Sequence, residues 1–294
     1  MFHVKQISKS PIENRPLVPF LTCEDYTVSR ETFSIYMDKE SQLLVTTPRP
    51  GDETLSNYYE SEDYISHSDS KKTLIDQVYQ IVRNYAIKKK VKLVNSFESS
   101  DKNLLDIGTG TGDFIFACKK DGWCVNGVEP NKKANSLAAG KTLIKISSDV
   151  SELGSEQFDV VTMWHVLEHV PDLKSYISIL KKLLKPNGTL VVAVPNYKSY
   201  DADFYKEFWA AYDVPRHLWH FSRSSIEKLF QYENMKVVKT LPMKFDSYYV
   251  SLLSEKYKTG RSNFLKSIFI GLRSNFKAKS TSEYSSLIYI IKND

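Results

Sequence analysis

From residue 104 onward, short apolar runs alternate with stretches whose apolar positions recur at helical spacing. Residues 104–108, 124–129, 142–146, 158–163 and 189–194 read as strands, with helical patterns such as 131–139 and 173–184 between them. Strands that alternate with helices predict a doubly wound, mostly parallel sheet. The turn Pro186-Asn187-Gly188 sets off the fifth strand. Runs at 235–241 and 287–291 add a closing strand pair, so seven strands are expected. About 45 residues separate that pair, and they contain an apolar, basic segment at 264–272. A helix is expected near Ser224, where Ser224 and Glu227 have capping-box spacing. Ahead of the sheet, residues 1–70 predict a small β-rich extension, with strands at 33–36 and 43–47 around a turn at 38–41. Ser70 is placed to cap a helix over 71–90, with Leu74, Val78, Ile81, Val82 and Tyr85 as its apolar stripe.

The first strand of the alternation runs into Gly108-Thr109-Gly110-Thr111-Gly112. Closely spaced glycines let backbone turn tightly and approach a ligand, and the following helix aims free N–H groups and its positive end at the same place. A dinucleotide fingerprint requires its third glycine at position 113. That residue is Asp113, so the spacing argues against a dehydrogenase.

Ligands in such sheets lie beyond the carboxyl ends of the strands. The second strand ends in Glu129-Pro130, about 20 residues past the turn, where an acid accepts from ribose hydroxyls. Glu129 could instead simply favour a helix N-terminus. The third ends in Ser148-Asp149. Asp149 can face an adenine amino group or cap its own turn. The fourth leads into Trp164 and His165, expected beside the same ligand. On a helix starting near Trp164, His165 and His169 would share a face, but no third metal ligand of suitable spacing is evident, and no metal is expected.

Asp106, Gly108, Gly110, Gly112, Glu129, Asp149, Phe158-Asp159-Val160-Val161, Val166-Leu167-Glu168-His169 and Pro186-Asn187-Gly188 resemble, in order, the motif series of class I S-adenosylmethionine (SAM)-dependent methyltransferases. The subgroup most similar is that of ubiquinone and menaquinone biosynthesis. The resemblance covers roughly residues 75–240. It implies an α/β Rossmann-like fold, SAM as cofactor, and binding by Asp106, Gly108, Thr109, Gly110, Gly112, Glu129, Pro130, Asp149, Trp164 and His165. Asp213-Val214-Pro215-Arg216-His217-Leu218-Trp219-His220-Phe221 resembles an element of the same subgroup that shapes the acceptor pocket. There Asp213, Arg216 and His217 could orient or deprotonate an acceptor, or be tied into their own loop. His165, His217 and Arg216 are thus the candidate catalytic residues. The amino-terminal segment resembles a zinc ribbon whose cysteines fall on Asp38 and Ser41. One upstream thiol, Cys23, cannot hold zinc, so residues 1–70 read as a metal-free remnant and 71–294 as the methyltransferase domain.

Composition changes this picture little. The 294 residues suit one α/β domain with an appendage, and the three scattered cysteines form no disulfide framework. Neither a signal peptide nor a membrane-spanning run is evident, so a cytoplasmic enzyme is expected. The formal charge of +5 is concentrated after residue 236, with 11 Lys/Arg against four Asp/Glu. That basic tail is a solvated face or a contact for an anionic partner. The expected reaction is SAM-dependent methylation of a small-molecule acceptor, at oxygen in first place. Methylation of RNA or protein guided by the basic tail, and a non-catalytic SAM-binding module, are the rivals. The segment at 264–272 is either a lid over the pocket or a peripheral membrane contact. Nothing in the sequence fixes the oligomeric state.

Overall fold

The computed structural model describes residues 4–51, 54, 56–59, 74–99 and 101–294. The apolar runs of the second half form one seven-stranded sheet in the order β12-β13-β10-β9-β6-β7-β8. These strands are β6 (Asn103–Ile107), β7 (Cys124–Val128), β8 (Ile146–Ser147), β9 (Phe158–Trp164), β10 (Leu184–Pro195), β12 (Met235–Pro242) and β13 (Ser286–Asn293). Strands β8, β7, β6, β9 and β10 are parallel, whereas β13 runs antiparallel to β10 and β12. Central strands buried on both faces read as continuous apolar runs, and Leu104, Leu105, Val160, Val161 and 190–193 are all fully buried. Truncating one of them, such as Leu105→Ala, costs about 2–5 kcal/mol.

Register brings the strand ends level. Ile107 lies beside Val128 and Met163, and Ala193 lies beside Trp164. The residues just past these positions, Gly108, Glu129 and His165, therefore gather on one edge of the sheet. The order reverses at β6, because chain order leads outward to β7 and β8 on one side and to β9 and β10 on the other. Such a reversal opens the crevice in which doubly wound folds bind ligands.

Helices α1 (Leu74–Val94), α2 (Asp113–Lys120), α3 (Lys132–Thr142), α4 (Leu173–Leu183), α5 (Tyr200–Tyr205), α6 (Arg223–Gln231), α7 (Asp246–Thr259) and α8 (Phe264–Thr281) complete the described fold. Four local expectations are corrected. The third strand is shorter and later than 142–146, because α3 continues through Thr142, whose hydroxyl bonds back to the Ala138 carbonyl, and ends at a left-handed Leu143. Helix α6 is capped by Ser222, not Ser224, since Ser222 and Ser225 make the reciprocal capping box. In α1, Ile81 and Tyr85 are exposed rather than core, and packing falls to Val91 and Val94 at its far end. No helix starts at Trp164, because β9 runs through it and a 3₁₀ turn follows at Leu167–His169. Ser70 and residues 71–73 lie outside the described residues.

The short strands β1 (Val4–Lys5) and β5 (Arg49–Pro50) pair separately. The two amino-terminal strands expected from the sequence are β3 (Thr32–Met37) and β4 (Leu44–Thr46), joined by β2 (Val18–Glu24). Their fourth partner comes from far along the chain: β11 (Trp219–His220) pairs with β4. Ile12, Leu43 and Val45 also sit in the same apolar cluster as Val161, Leu190 and Leu218. Where a ribbon carries cysteines, Asp38 accepts from the Ser41 hydroxyl at 2.6 Å and from the Glu40 amide at 3.0 Å. Asp25 likewise accepts from the amides and hydroxyls of Thr27 and Ser29. Buried carboxylates thus knit both turns through hydrogen bonds.

Candidate active site

The glycine turn has the geometry its composition predicts. Gly108 (φ 74°), Gly110 (φ 56°) and Gly112 (φ 82°) all lie in the left-handed region. They differ in what a side chain would meet. A Cβ on Gly112 would lie 2.8 Å from the Ala138 backbone, which locks the turn against α3. A Cβ on Gly110 would meet nothing within 4 Å, so that glycine faces open space on the ligand side.

Glu129 ties the turn to the second strand. One carboxylate oxygen accepts from the Gly110 amide at 2.7 Å and the other from the Asn131 amide at 2.9 Å. Asn135 holds the strand end by donating to the carbonyls of Glu129 and Ile146. Pro130 follows at the entry to α3. Thr109 donates to the Asp106 carbonyl at 2.9 Å, and its own amide bonds the Val128 carbonyl. Asp106 is buried and accepts from Thr162 at 2.6 Å. Burial pushes its carboxyl up to about 7, against the opposing pull of Thr162 and Lys90.

Asp113, which breaks the dinucleotide pattern, is an anchor. It pairs with Arg83 of α1 and with Lys141 of α3. Helix α1 is thereby fastened over the turn. Lys90 of the same helix lies 4.3 Å from the Trp164 ring centroid, and Trp164 packs edge-on against Phe114 at 5.5 Å. The Trp164 indole nitrogen is buried with no hydrogen-bond partner. Tyr85 and Phe245 meet edge to face at 5.4 Å, linking α1 to the start of α7. Asp149 is exposed and caps a 3₁₀ turn by accepting from the Ser151 amide at 2.8 Å, which is the turn role weighed for it.

His165 leaves β9 with φ 58°, its amide still bonded to the Ala193 carbonyl. Its ring is held between two carboxylates. Nδ1 faces Glu168 at 3.3 Å and Nε2 faces Asp246 at 3.1 Å. Burial opposes charge on the ring, but the hydrogen bonds from Asp246 and Glu168 outweigh it and lift its pKa to about 10. His165 is therefore an imidazolium at neutral pH.

A second cluster lies beside it. Nδ1 of His169 faces the Arg216 carbonyl at 3.0 Å, and Nδ1 of His217 faces the Ala211 carbonyl at 2.9 Å. A carbonyl only accepts, so each ring carries a proton on Nδ1, which leaves Nε2 as the atom free to meet other groups. Burial and then the neighbouring His217 push His169 down to about 4. Glu168 is buried, and its Oε2 has no hydrogen-bond partner among the described residues. Donor atoms of Glu168, His169 and His217 all lie within 4.8 Å of one another. The sequence set His165 beside His169, but the donors that meet His169 are its neighbour Glu168 and His217 from the loop after β10. The Tyr59 hydroxyl, 3.0 Å from Nδ1 of His169, brings the amino-terminal segment to the same place.

Arg216 is not offered to an acceptor. Nε and Nη2 donate to Asp213, Nη1 to the Tyr58 carbonyl, and Nη2 also to Asp25. It is a strut between the loop and the amino-terminal sheet. Asp213 is committed to the same strut. Sequence reasoning missed Asp246, which belongs to the inserted segment and carries no motif, and placed Glu168 only within a motif.

This geometry can be set beside known proteins. Residues 79–240 match the family described as a methyltransferase domain. The chain is 31% identical over 137 residues to the ubiquinone biosynthesis O-methyltransferase of Vibrio atlanticus, covering 43% of this chain and 55% of that protein. It is 36% identical over 108 residues to the enzyme of the same description from Haemophilus ducreyi, covering 32% and 46%. The chain thus spans about half the length of the curated relatives it matches. Among solved structures, magnesium protoporphyrin IX methyltransferase from Synechocystis PCC 6803 superposes with a TM-score of 0.55 at 14% identity, covering 83% of this chain and 100% of that one. With the family pattern matched over more than half its length and the strand-end geometry in place, the chain belongs to the methyltransferase-domain family and has the class I SAM-dependent fold.

Proposed function

We propose that the protein transfers the methyl group of SAM to a hydroxyl oxygen of a small-molecule acceptor. The observation that carries the reading is the placement of the glycine turn, Glu129 and the His165–His169–His217 cluster along one sheet edge. Glu129 would accept from the ribose hydroxyls, the amides opening α2 would hold the methionine carboxylate, and Asp149 would reach the adenine. SAM is already a strong electrophile, so alignment supplies much of the rate.

A neutral hydroxyl must also lose its proton. Glu168, His169 and His217 bring donor atoms close together, an arrangement that favours capture of a positive species between them. A proton taken from the acceptor is such a species, and the His165 imidazolium would stabilise the resulting oxyanion. His217 is then the base nearest the acceptor, with His169 behind it. Arg216 supports the loop from below. Residues 1–70 act as the metal-free remnant of a ribbon, completing the acceptor side through Tyr59.

The unpartnered Oε2 of Glu168 favours a second reading, in which the same three donors hold a divalent cation beside the acceptor oxygen. Labelled-methyl transfer from SAM into fractionated cell extract tests the main proposal, with and without a chelator. An alkali-stable label on a small hydroxylated compound, insensitive to chelation, supports it. Label in RNA or protein, or SAM binding with no labelled product, would overturn it. Label lost on chelation and restored by a divalent ion would select the second reading.

A further inference from the structure

The helical hairpin inserted between β12 and β13 is built inside out. Where α7 and α8 touch, the Ser247 hydroxyl of α7 donates to the Gly271 carbonyl and the Ser267 hydroxyl of α8 donates to the Ser251 carbonyl, while Val250 and Ile270 join a neighbouring apolar cluster. A Cβ added to Gly271 would lie 3.1 Å from the Tyr248 Cα, so the two backbones approach closely. Four large apolar residues of α8 point the other way. Leu265, Phe269, Leu272 and Phe276 are 81%, 59%, 53% and 71% exposed. Their spacing of four, three and four residues places them on one stripe, opposite the buried face.

Small residues within a helix pair and large apolar ones outside are what helices in an apolar medium show. In water, such a stripe marks a surface that is covered in use. Helix α8 carries no acidic residue; Arg273, Lys277 and Lys279 are exposed, with Arg273 and Lys277 lying over the Tyr200 ring, whereas Lys266 pairs with Glu255 of α7 at 2.9 Å. Among the described residues, no helix is long and apolar enough to cross a membrane.

We propose that this face of α8 docks onto the surface of an anionic phospholipid bilayer, the apolar stripe entering the headgroup boundary and the exposed basic residues meeting lipid phosphates. The charge complementarity selects this occupant. The proposal is independent of the acceptor's identity and of methyl transfer. The stripe's outward direction also departs from the expectation of a lid at 264–272. It is the start of α7, through Asp246, that reaches the site.

Sedimentation of the full chain with phosphatidylcholine vesicles, with and without phosphatidylglycerol, tests this. Binding is expected to rise with phosphatidylglycerol and fall with salt. R273Q/K277Q should weaken it by roughly fivefold per charge removed, and F269D/L272D should abolish it. Both variants alter exposed positions, and unchanged thermal melting and SAM affinity would show that they fold. Absence of sedimentation with every vesicle, or equal binding by F269D/L272D, would overturn the proposal. So would a concentration-dependent dimer, dispersed by F269D/L272D, in a protein that ignores vesicles, because a second copy would then cover the face.

Discussion

Arg216 and Asp25 meet across 191 residues of chain, with Nη2 donating to the carboxylate at 3.1 Å and both side chains buried. The pair joins the loop that positions His217 to a turn of the amino-terminal sheet. Burial alone would raise the Asp25 carboxyl, but the Ser29 hydrogen bond, then Arg216, brings it down to about 2.

Breaking that pair should unfold the protein before it impairs chemistry. Removing one partner of a buried ion pair costs about 3–5 kcal/mol, because the other charge is stranded. Arg216→Met is expected to lower the urea midpoint accordingly, while the fraction still folded at low temperature binds SAM as before. A large fall in turnover at unchanged stability would show that Arg216 acts on the acceptor after all.

The three glycines should separate by substitution. Gly112→Ala places a methyl against the Ala138 backbone at a positive φ, so a stability loss of about 1–3 kcal/mol is expected in thermal unfolding. Gly110→Ala meets no protein atom. It should cost less stability yet reduce SAM affinity more, as read by isothermal titration calorimetry. The reverse ordering would mean that the ligand does not lie over Gly110.

Glu129→Gln keeps the volume but removes the charge that holds the Gly110 and Asn131 amides and would meet the ribose. Hydrogen bonds to a charged group contribute about 1.5–3 kcal/mol. SAM affinity should therefore fall by roughly ten- to 150-fold, and Asp149→Asn should lower it as well, since that carboxylate is proposed to reach the adenine. Unchanged affinity in Asp149→Asn would leave that residue only its turn.

The His165 clamp predicts a pH signature in stability. The folded pKa of about 10 lies above the ordinary histidine value of 6.5. The stabilisation from this group is complete below about pH 6.5 and is lost as pH rises toward 10. His165→Gln should flatten the decline of chemical-denaturation stability across that window, and Asp246→Asn should shift it to lower pH. A wild-type profile unchanged by either substitution would remove the clamp from consideration.

Local rules made much of this molecule legible from its sequence. Short β-rich runs, the turn at Pro186-Asn187-Gly188 and the strong periodicity of 173–184 depend on neighbouring residues alone, and they fix the strand–helix alternation. The glycine turn was equally legible, because positive φ and close backbone approach select glycine whatever surrounds them. Where local signals compete, the sequence misled: Thr142 satisfies a helix and a strand equally, and only the continuation of α3 to Leu143 decides. His165 and His169 have helical spacing, yet β9 runs to Trp164 and His165 turns out of it with a positive φ, its amide still bonded to Ala193, so no helix begins there.

Tertiary structure alone decided the electrostatics of the site. No spacing rule could bring Asp246 to His165 across 81 residues or seat His217 beside Glu168 and His169. Those meetings depend on how the loop after β10 and the start of α7 fold back over the sheet edge. Protonation follows from them, since two carboxylates raise the pKa of His165, whereas burial and the neighbouring His217 lower that of His169. Sequence thus determined the scaffold and the cofactor turn, which rest on backbone conformation and burial. The partners of each charge were settled by packing, because electrostatic interactions depend on distances through space and not along the chain.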